Sequence, residues 1–193
     1  KTLPSIGTRR IGQAMIKKCV GFDMNVLCYQ AGRENKKFAA AIQEIMDLRY
    51  HHGVTKYKQW IKYVTFEDAL SQADFVSIHV PLLREGESPN PTYHMFNERT
   101  LRLMKPSAMI INTARGPVID EAALVRALKE NWIAGAALDV YAVEPLPANS
   151  PLRDSAIEDR CRLYPHHGSA TFETRLSPDP DRGMAGRCVQ GLI

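Results

Sequence analysis

The stretch SIGTRRIG, Ser5 to Gly12, sets glycines at positions 7 and 12 between a short apolar run and the start of an amphipathic segment. A strand, a tight turn and a helix start in that order can hold a pyrophosphate against unpaired backbone amides and the positive end of the helix dipole. In the common G-x-G-x-x-G form the first glycine turns the chain, the second lets the backbone approach the phosphates, and the third lets helix and strand pack closely. Gly7 and Gly12 keep the first and third roles, and Arg9 stands in the second. An arginine there crowds the phosphates unless its guanidinium turns outward to meet one. Two glycines at this spacing also describe an ordinary tight turn, and Pro4 withholds a ladder donor from the strand that should precede it.

A dinucleotide site tells its ligands apart at the end of the second strand, where an acid binds a ribose 2′-hydroxyl and an arginine favours a 2′-phosphate. Here that end reads LCYQAGREN. Gln30 takes the place of the acid and Arg33 follows, which favours NADP(H) over NAD(H); equally, the two residues line a solvated loop. Three other groups carry less. His51 and His52 follow a helical pattern, point apart on a regular backbone and lack acidic or thiol neighbours in sequence, so surface positions are expected and no metal site. KYKQWIKY, Lys56 to Tyr63, interleaves basic and aromatic residues as nucleic-acid surfaces do, but one short patch reads as a solvated face. His79 at a strand end is expected to be a satisfied core residue.

The scaffold for these groups is written in the alternation of apolar stretches with helical patterns, which specifies a parallel sheet with crossover helices. Strands are expected at Leu3 to Ile6, Asn25 to Tyr29, Lys62 to Val64, Phe75 to His79, Ala108 to Asn112, Gly135 to Leu138 and Arg162 to Tyr164. The helix from Arg10 to Cys19 sets Ile11, Ala14, Met15 and Cys19 on one face, and Thr65 with Asp68 forms a capping-box pattern ahead of Glu67 to Gln72. Asp120 is placed to cap IDEAALVRALKEN, with Leu124 and Leu128 in the buried stripe. The polar REGESPNPTYH, Arg84 to His94, reads as a surface excursion.

A length of 193 residues and a hydrophobic content of 45% suit one domain with a substantial core. The formal charge of +4 is spread along the chain and suits an anionic small ligand as readily as a nucleic acid. Cys19, Cys28, Cys161 and Cys188 have neither zinc-site spacing nor the density of a secreted scaffold, so reduced thiols in a cytoplasmic protein are expected. No apolar run reaches the length of a membrane span, and the first residues do not follow the signal-peptide pattern.

The segment LMKPSAMIINTARGPVIDEAALVRALKENWIAGAALDVYAVEPLPANSPL, Leu103 to Leu152, strongly resembles the D-isomer-specific 2-hydroxyacid dehydrogenases. RRIGQAM after the glycine turn, ADFVSIHVPL at Ala73 to Leu82 and YPHHGSAT at Tyr164 to Thr171 resemble the same family in the same order. The resemblance implies a doubly wound, Rossmann-type α/β domain, a nicotinamide cofactor, and a small 2-oxo or 2-hydroxy acid such as glyoxylate or hydroxypyruvate. Reducing a 2-oxo acid builds negative charge on the carbonyl oxygen, which calls for a proton donor and a nearby cation. A histidine oriented by a carboxylate suits the first role, and an arginine fork that holds carbonyl and carboxylate oxygens suits the second. By the resemblance these roles fall on Arg115, Glu144 and His166, with His167 the competing histidine. It also places Asp139 at the nicotinamide carboxamide and Arg10, Ile11, Pro81, Thr113, Ala114 and Gly168 against the cofactor.

The expected organisation is a dinucleotide-binding domain over 1–170 and a remnant of a C-terminal crossover segment over 171–193, irregular where LSPDPDRG carries two prolines. The substrate domain of the family is then missing or nearly so, and slow turnover or none is expected of this chain. The family also implies a homodimer in the full-length form. Two other readings stay open at this stage: a cofactor-sensing interaction domain like the C-terminal-binding corepressors, and a degenerate fragment with little activity.

Overall fold

The structure, a computed structural model, describes residues 1–168. The expectations placed on 171–193, on Cys188 and on Ser169 to Thr171 lie outside the described residues. In chain order the elements are β1 (Thr2–Ile6), α1 (Arg10–Gly21), β2 (Asn25–Tyr29), α2 (Lys36–His51), β3 (Ile61–Tyr63), α3 (Phe66–Gln72), β4 (Phe75–Ile78), α4 (Glu98–Leu101), β5 (Met109–Asn112), α5 (Glu121–Lys129), β6 (Gly135–Leu138) and β7 (Cys161–Leu163). The seven strands pair in parallel throughout, in the order β3-β2-β1-β4-β5-β6-β7. This is the Rossmann-type doubly wound sheet that was expected, and the order reverses between β1 and β4, where such sheets bind ligands beyond their carboxyl ends.

All seven expected strands are present. The two edge strands, β3 and β7, begin one residue earlier than their apolar patterns suggested, because short edge strands are bounded by the ladder they join; Val26 donates to Trp60 O at the start of β3. Pro4 fits for a similar reason. Even-numbered residues of β1 face β4, as Asp74 N–H to Thr2 O and His79 N–H to Ile6 O show. Pairing to β4 is registered only at Ser5 and Ile6, so Pro4 stands just before the registered pairs, and the bonds at Thr2 and Ile6 hold the strand on either side of the donor it lacks.

Helix α1 departs from expectation in its rotation. Its buried residues are Gly12, Ile16, Cys19 and Val20, while Ile11, expected on the inner face, is 64% exposed. The cause is the backbone approach at Gly12: a Cβ there would stand 2.0 Å from Gly7 O, so this residue must face the turn and the helix rotates to suit it. Elsewhere the capping expectations hold in kind. Asp120 accepts from the N–H of Ala122 and Ala123 ahead of α5, whose Leu124 and Leu128 are fully buried. Thr65 accepts from Asp68 N–H, but the Asp68 carboxylate takes the Thr65 hydroxyl, not its backbone N–H, so the box closes side chain to side chain.

Alternation along the strands divides the core. Leu3, Val26, Cys28 and Ile61 pack with Ile16, Val20, Ile42 and Met46 of α1 and α2. Ile6, Val76, Ile78, Ile110 and Leu138 pack with Leu70, Leu101, Leu124 and Leu128 of α3, α4 and α5. Each such leucine contributes about 1.5–3 kcal/mol through burial. The excursion after β4 is pinched at its base by Leu83 N–H to Thr92 Oγ1 and Thr92 N–H to Leu83 O, both 2.8 Å. Among the described residues no helix is long and apolar enough to cross a membrane.

Candidate active site

The glycine turn is built as a cradle. Gly7 has φ +94°, which favours glycine, and a Cβ on it would stand 2.7 Å from His79 O at the end of β4. Gly7 and Gly12 are therefore both required by close backbone approach. Arg9 is accommodated differently from the glycine it replaces: it caps α1 with φ −79° and ψ −163°, ordinary extended backbone, and it is exposed. Its side chain makes no capping bond, whereas Asn35, Thr65, Asn97 and Asp120 each cap the helix that follows them.

At the end of β2, Gln30 turns inward to the turn. Its Oε1 accepts from Thr8 N–H at 2.8 Å and from the Thr8 hydroxyl at 3.2 Å, and its Nε2 donates to Ala31 O. Thr8, buried and further tied to the Tyr63 hydroxyl, is a residue that sequence reasoning missed. Arg33 lines a surface crevice together with Glu34, Asn35, and Lys36 and Lys37, which open α2, and Lys36 Nζ stands 3.9 Å from the Glu34 carboxylate. His79 is half-buried, its Nε2 2.9 Å from Ser77 Oγ, and burial pushes its pKa down to about 4. It is neutral at pH 7 and satisfied, as expected of a structural histidine. Pro81, just beyond it, is exposed and accepts the Thr92 hydroxyl through its carbonyl.

The next three strands each deliver one candidate catalytic residue past a carboxyl end. Beyond β7, His166 Nδ1 lies 2.7 Å from Glu144 Oε2, and Glu144 follows β6. The other Glu144 oxygen accepts from Tyr141 N–H at 3.0 Å. Burial pulls the Glu144 pKa upward, yet the hydrogen bonds from His166 and Tyr141 and the positive charge of His166 outweigh it and hold the carboxyl below its ordinary value. His166 adopts φ +54°, and the residues after it are fixed by Asp139, whose two oxygens accept from His167 N–H at 2.7 Å and Gly168 N–H at 2.6 Å. This separates the adjacent histidines: His166 offers its ring to the carboxylate, and His167 offers its backbone to Asp139. The carboxylate expected at the nicotinamide carboxamide is thus also the clamp of the histidine loop.

Arg115 follows β5 in an exposed loop shaped by Asn112, which accepts from Ala114 N–H and donates to Arg115 O. The Arg115 guanidinium rests against Ala114 O at 2.7 Å. Gly116 brings this loop against its neighbour, since a Cβ there would stand 1.9 Å from the Tyr141 carbonyl carbon. The structure therefore places the Arg115, Glu144 and His166 loops side by side at one edge of the sheet. Thr113 is exposed and Ala114 half-buried on the same rim. His51 and His52 are exposed at the far end of α2, and Lys62 of the basic and aromatic patch lies 4.8 Å over the Trp60 ring. Asn112 and Tyr141 were missed by sequence reasoning; a polar residue closing a strand was the signal available for the first.

Residues 1–168 match the profile of the D-isomer specific 2-hydroxyacid dehydrogenase, NAD binding domain. The chain belongs to this dehydrogenase family. A glyoxylate reductase of Thermococcus litoralis is 41% identical to it over 193 residues, 100% of this chain and 48% of that protein. A solved glyoxylate reductase from Paecilomyes thermophila has a TM-score of 0.69 at 31% identity, covering 90% of this chain and 44% of the other. D-lactate dehydrogenase with NAD+ from Lactobacillus jensenii has a TM-score of 0.67 at 27% identity, covering 89% and 47%. This member of the 2-hydroxyacid dehydrogenases spans about half the length of the curated relatives it matches.

Proposed function

We propose that residues 1–170 form the cofactor-binding unit of an oxidoreductase acting on a small D-2-hydroxy acid or its 2-oxo partner, glyoxylate and hydroxypyruvate being the first to try. The observation that carries this reading is the 2.7 Å contact of His166 with Glu144, set beside the Arg115 loop at the carboxyl edge of a nucleotide-binding sheet. The bound nicotinamide supplies or accepts the hydride. Glu144 holds His166 through Nδ1, which leaves Nε2 as the atom that gives or takes the substrate proton. Arg115 meets the carbonyl and carboxylate oxygens of the acid and stabilises the charge that develops there. The cradle at Gly7 and Gly12 and the amides of Arg10, Ile11 and Gly12 receive the pyrophosphate, with Arg9 turned outward to it.

The cofactor we favour is NADP(H). Arg33 and Lys37 stand with the Lys36–Glu34 pair in one crevice beyond β2, and no acid stands at the position of Gln30. The three buried, free cysteines among the described residues support a reducing compartment, hence a cytoplasmic protein, and the family supports a homodimer. Calorimetric titration of the chain with NADPH and with NADH tests the reading: binding of both, tighter for NADPH, is expected. Failure to bind either would refute it, and tighter NADH binding would refute the choice of cofactor.

A further inference from the structure

Tyr141 touches each of the three loops that carry Arg115, Glu144 and His166. It is 8% exposed. Its N–H donates to Glu144 Oε1 at 3.0 Å; its hydroxyl donates to Tyr164 O at 2.6 Å, with Leu138 O a longer acceptor at 3.2 Å. Its carbonyl is the group that a Cβ on Gly116 would strike, so the Arg115 loop is seated on Tyr141 as well.

We propose that Tyr141 is a positioning residue of this site, its hydroxyl tethering the start of the histidine loop so that the His166 ring reaches the Glu144 carboxylate. The proposal rests on the reading of these two residues as a working pair. The geometry explains why a tether is needed there. His166 holds a positive φ, which an L-residue keeps only when its flanks are fixed. Asp139 fixes the downstream flank through His167 and Gly168, and the Tyr141 hydroxyl fixes the upstream flank through Tyr164. The same tyrosine orients the carboxylate through its N–H, so both members of the pair are referred to one buried side chain and its own backbone. The ring alone would fill the core; the hydroxyl and its 2.6 Å bond are what a phenylalanine lacks.

The test is proton NMR of the chain, reading the downfield resonance of the His166 Nδ1 proton bonded to Glu144, assigned by its loss in Glu144→Gln. Tyr141→Phe keeps the ring and the N–H bond and is expected to broaden or lose this resonance while the circular dichroism spectrum stays that of the wild type. Retention of the resonance at its wild-type position and width overturns the proposal, as does a wild-type spectrum without it. Should the variant not fold, the wild type still decides: a Tyr141 hydroxyl proton protected from exchange supports the tether, and one in prompt exchange with water overturns it. Titration of the wild type with NADPH and with NADH separates the two readings. Wild-type binding of either cofactor with an unaltered resonance in Tyr141→Phe removes the positioning role alone, whereas a wild type that binds neither, with the resonance lost in Tyr141→Phe, removes the dehydrogenase reading and keeps the tether.

Discussion

His166 Nδ1 and Glu144 Oε2 stand 2.7 Å apart although 22 positions separate them in the chain. Each belongs to a loop leaving a different strand, so their contact depends on the registration of β6 and β7, which pair Ala136 with Cys161, Ala137 with Arg162 and Leu138 with Leu163. The bond contributes a pH dependence of definite sign. The Glu144 carboxyl lies below its ordinary value in the folded chain, so the folded state binds fewer protons than the unfolded one just above that folded value. Its stabilisation is complete above the unfolded carboxyl range, about pH 4–5, and is lost as pH falls through the folded value. Urea midpoints of the wild type should therefore drop more steeply from pH 6 toward pH 3 than those of Glu144→Gln. Parallel curves would show that the carboxylate is not held by its partners. The effect should be small, since the two side chains are 40% and 36% exposed and water screens the pair.

The glycine turn should be intolerant of any side chain. Gly7→Ala would place a Cβ 2.7 Å from His79 O on a backbone with φ +94°, and the conformation alone costs about 1–3 kcal/mol. Gly12→Ala meets Gly7 O at 2.0 Å and must push α1 away from β1. Both variants should lose stability in urea, and calorimetry should show cofactor affinity falling with them. Wild-type affinity in a folded Gly12→Ala would mean that the turn does not hold the phosphates.

The contrast between Gly12 and Ile11 shows where a sequence is readable and where it is not. Strands buried on both faces are written as near-continuous apolar runs, so FVSI and GAAL announced β4 and β6 without context. Helix rotation was another matter. Ile11 fitted an apolar stripe, but the approach of Gly12 to Gly7 is a backbone contact, and a glycine carries no hydropathy to reveal it. His166 and Glu144 were readable only through their resemblance to a family, because no period relates residues on separate loops. Tyr141 was not readable at all: a tyrosine near a strand end reads as core, and its hydroxyl gains a partner only once Tyr164 is brought alongside. The clamp by Asp139 likewise depends on a positive φ at a histidine, which composition does not announce.

Cys19, Cys28 and Cys161 should be chemically silent in the native chain. All three are buried and free; burial pushes their thiols up to about 11, 12 and 11, which leaves almost no thiolate near neutrality. Labelling with a disulfide reagent at pH 8, followed by peptide mass mapping, should leave these three unmodified until urea unfolds the chain. Rapid native labelling of Cys28 would indicate that the layer between α1, α2 and the sheet opens locally.

The loop beyond β2 allows the cofactor preference to be changed by a single charge. Gln30 Oε1 accepts the Thr8 N–H and hydroxyl, and a glutamate keeps that acceptor at the same length while giving up the 3.2 Å bond from Nε2 to Ala31 O, so Gln30→Glu should keep the tie to Thr8. What it adds is a negative charge just past β2, ahead of the crevice lined by Arg33, Glu34, Asn35, Lys36 and Lys37. That charge can accept a ribose 2′-hydroxyl and repels a 2′-phosphate. The ratio of NADPH to NADH affinity, measured by calorimetry, should fall roughly tenfold, about 1.4 kcal/mol. An unchanged ratio would place the 2′ position of the ribose away from Gln30, and the basic residues beyond it would then be surface charge without a role in choosing the cofactor.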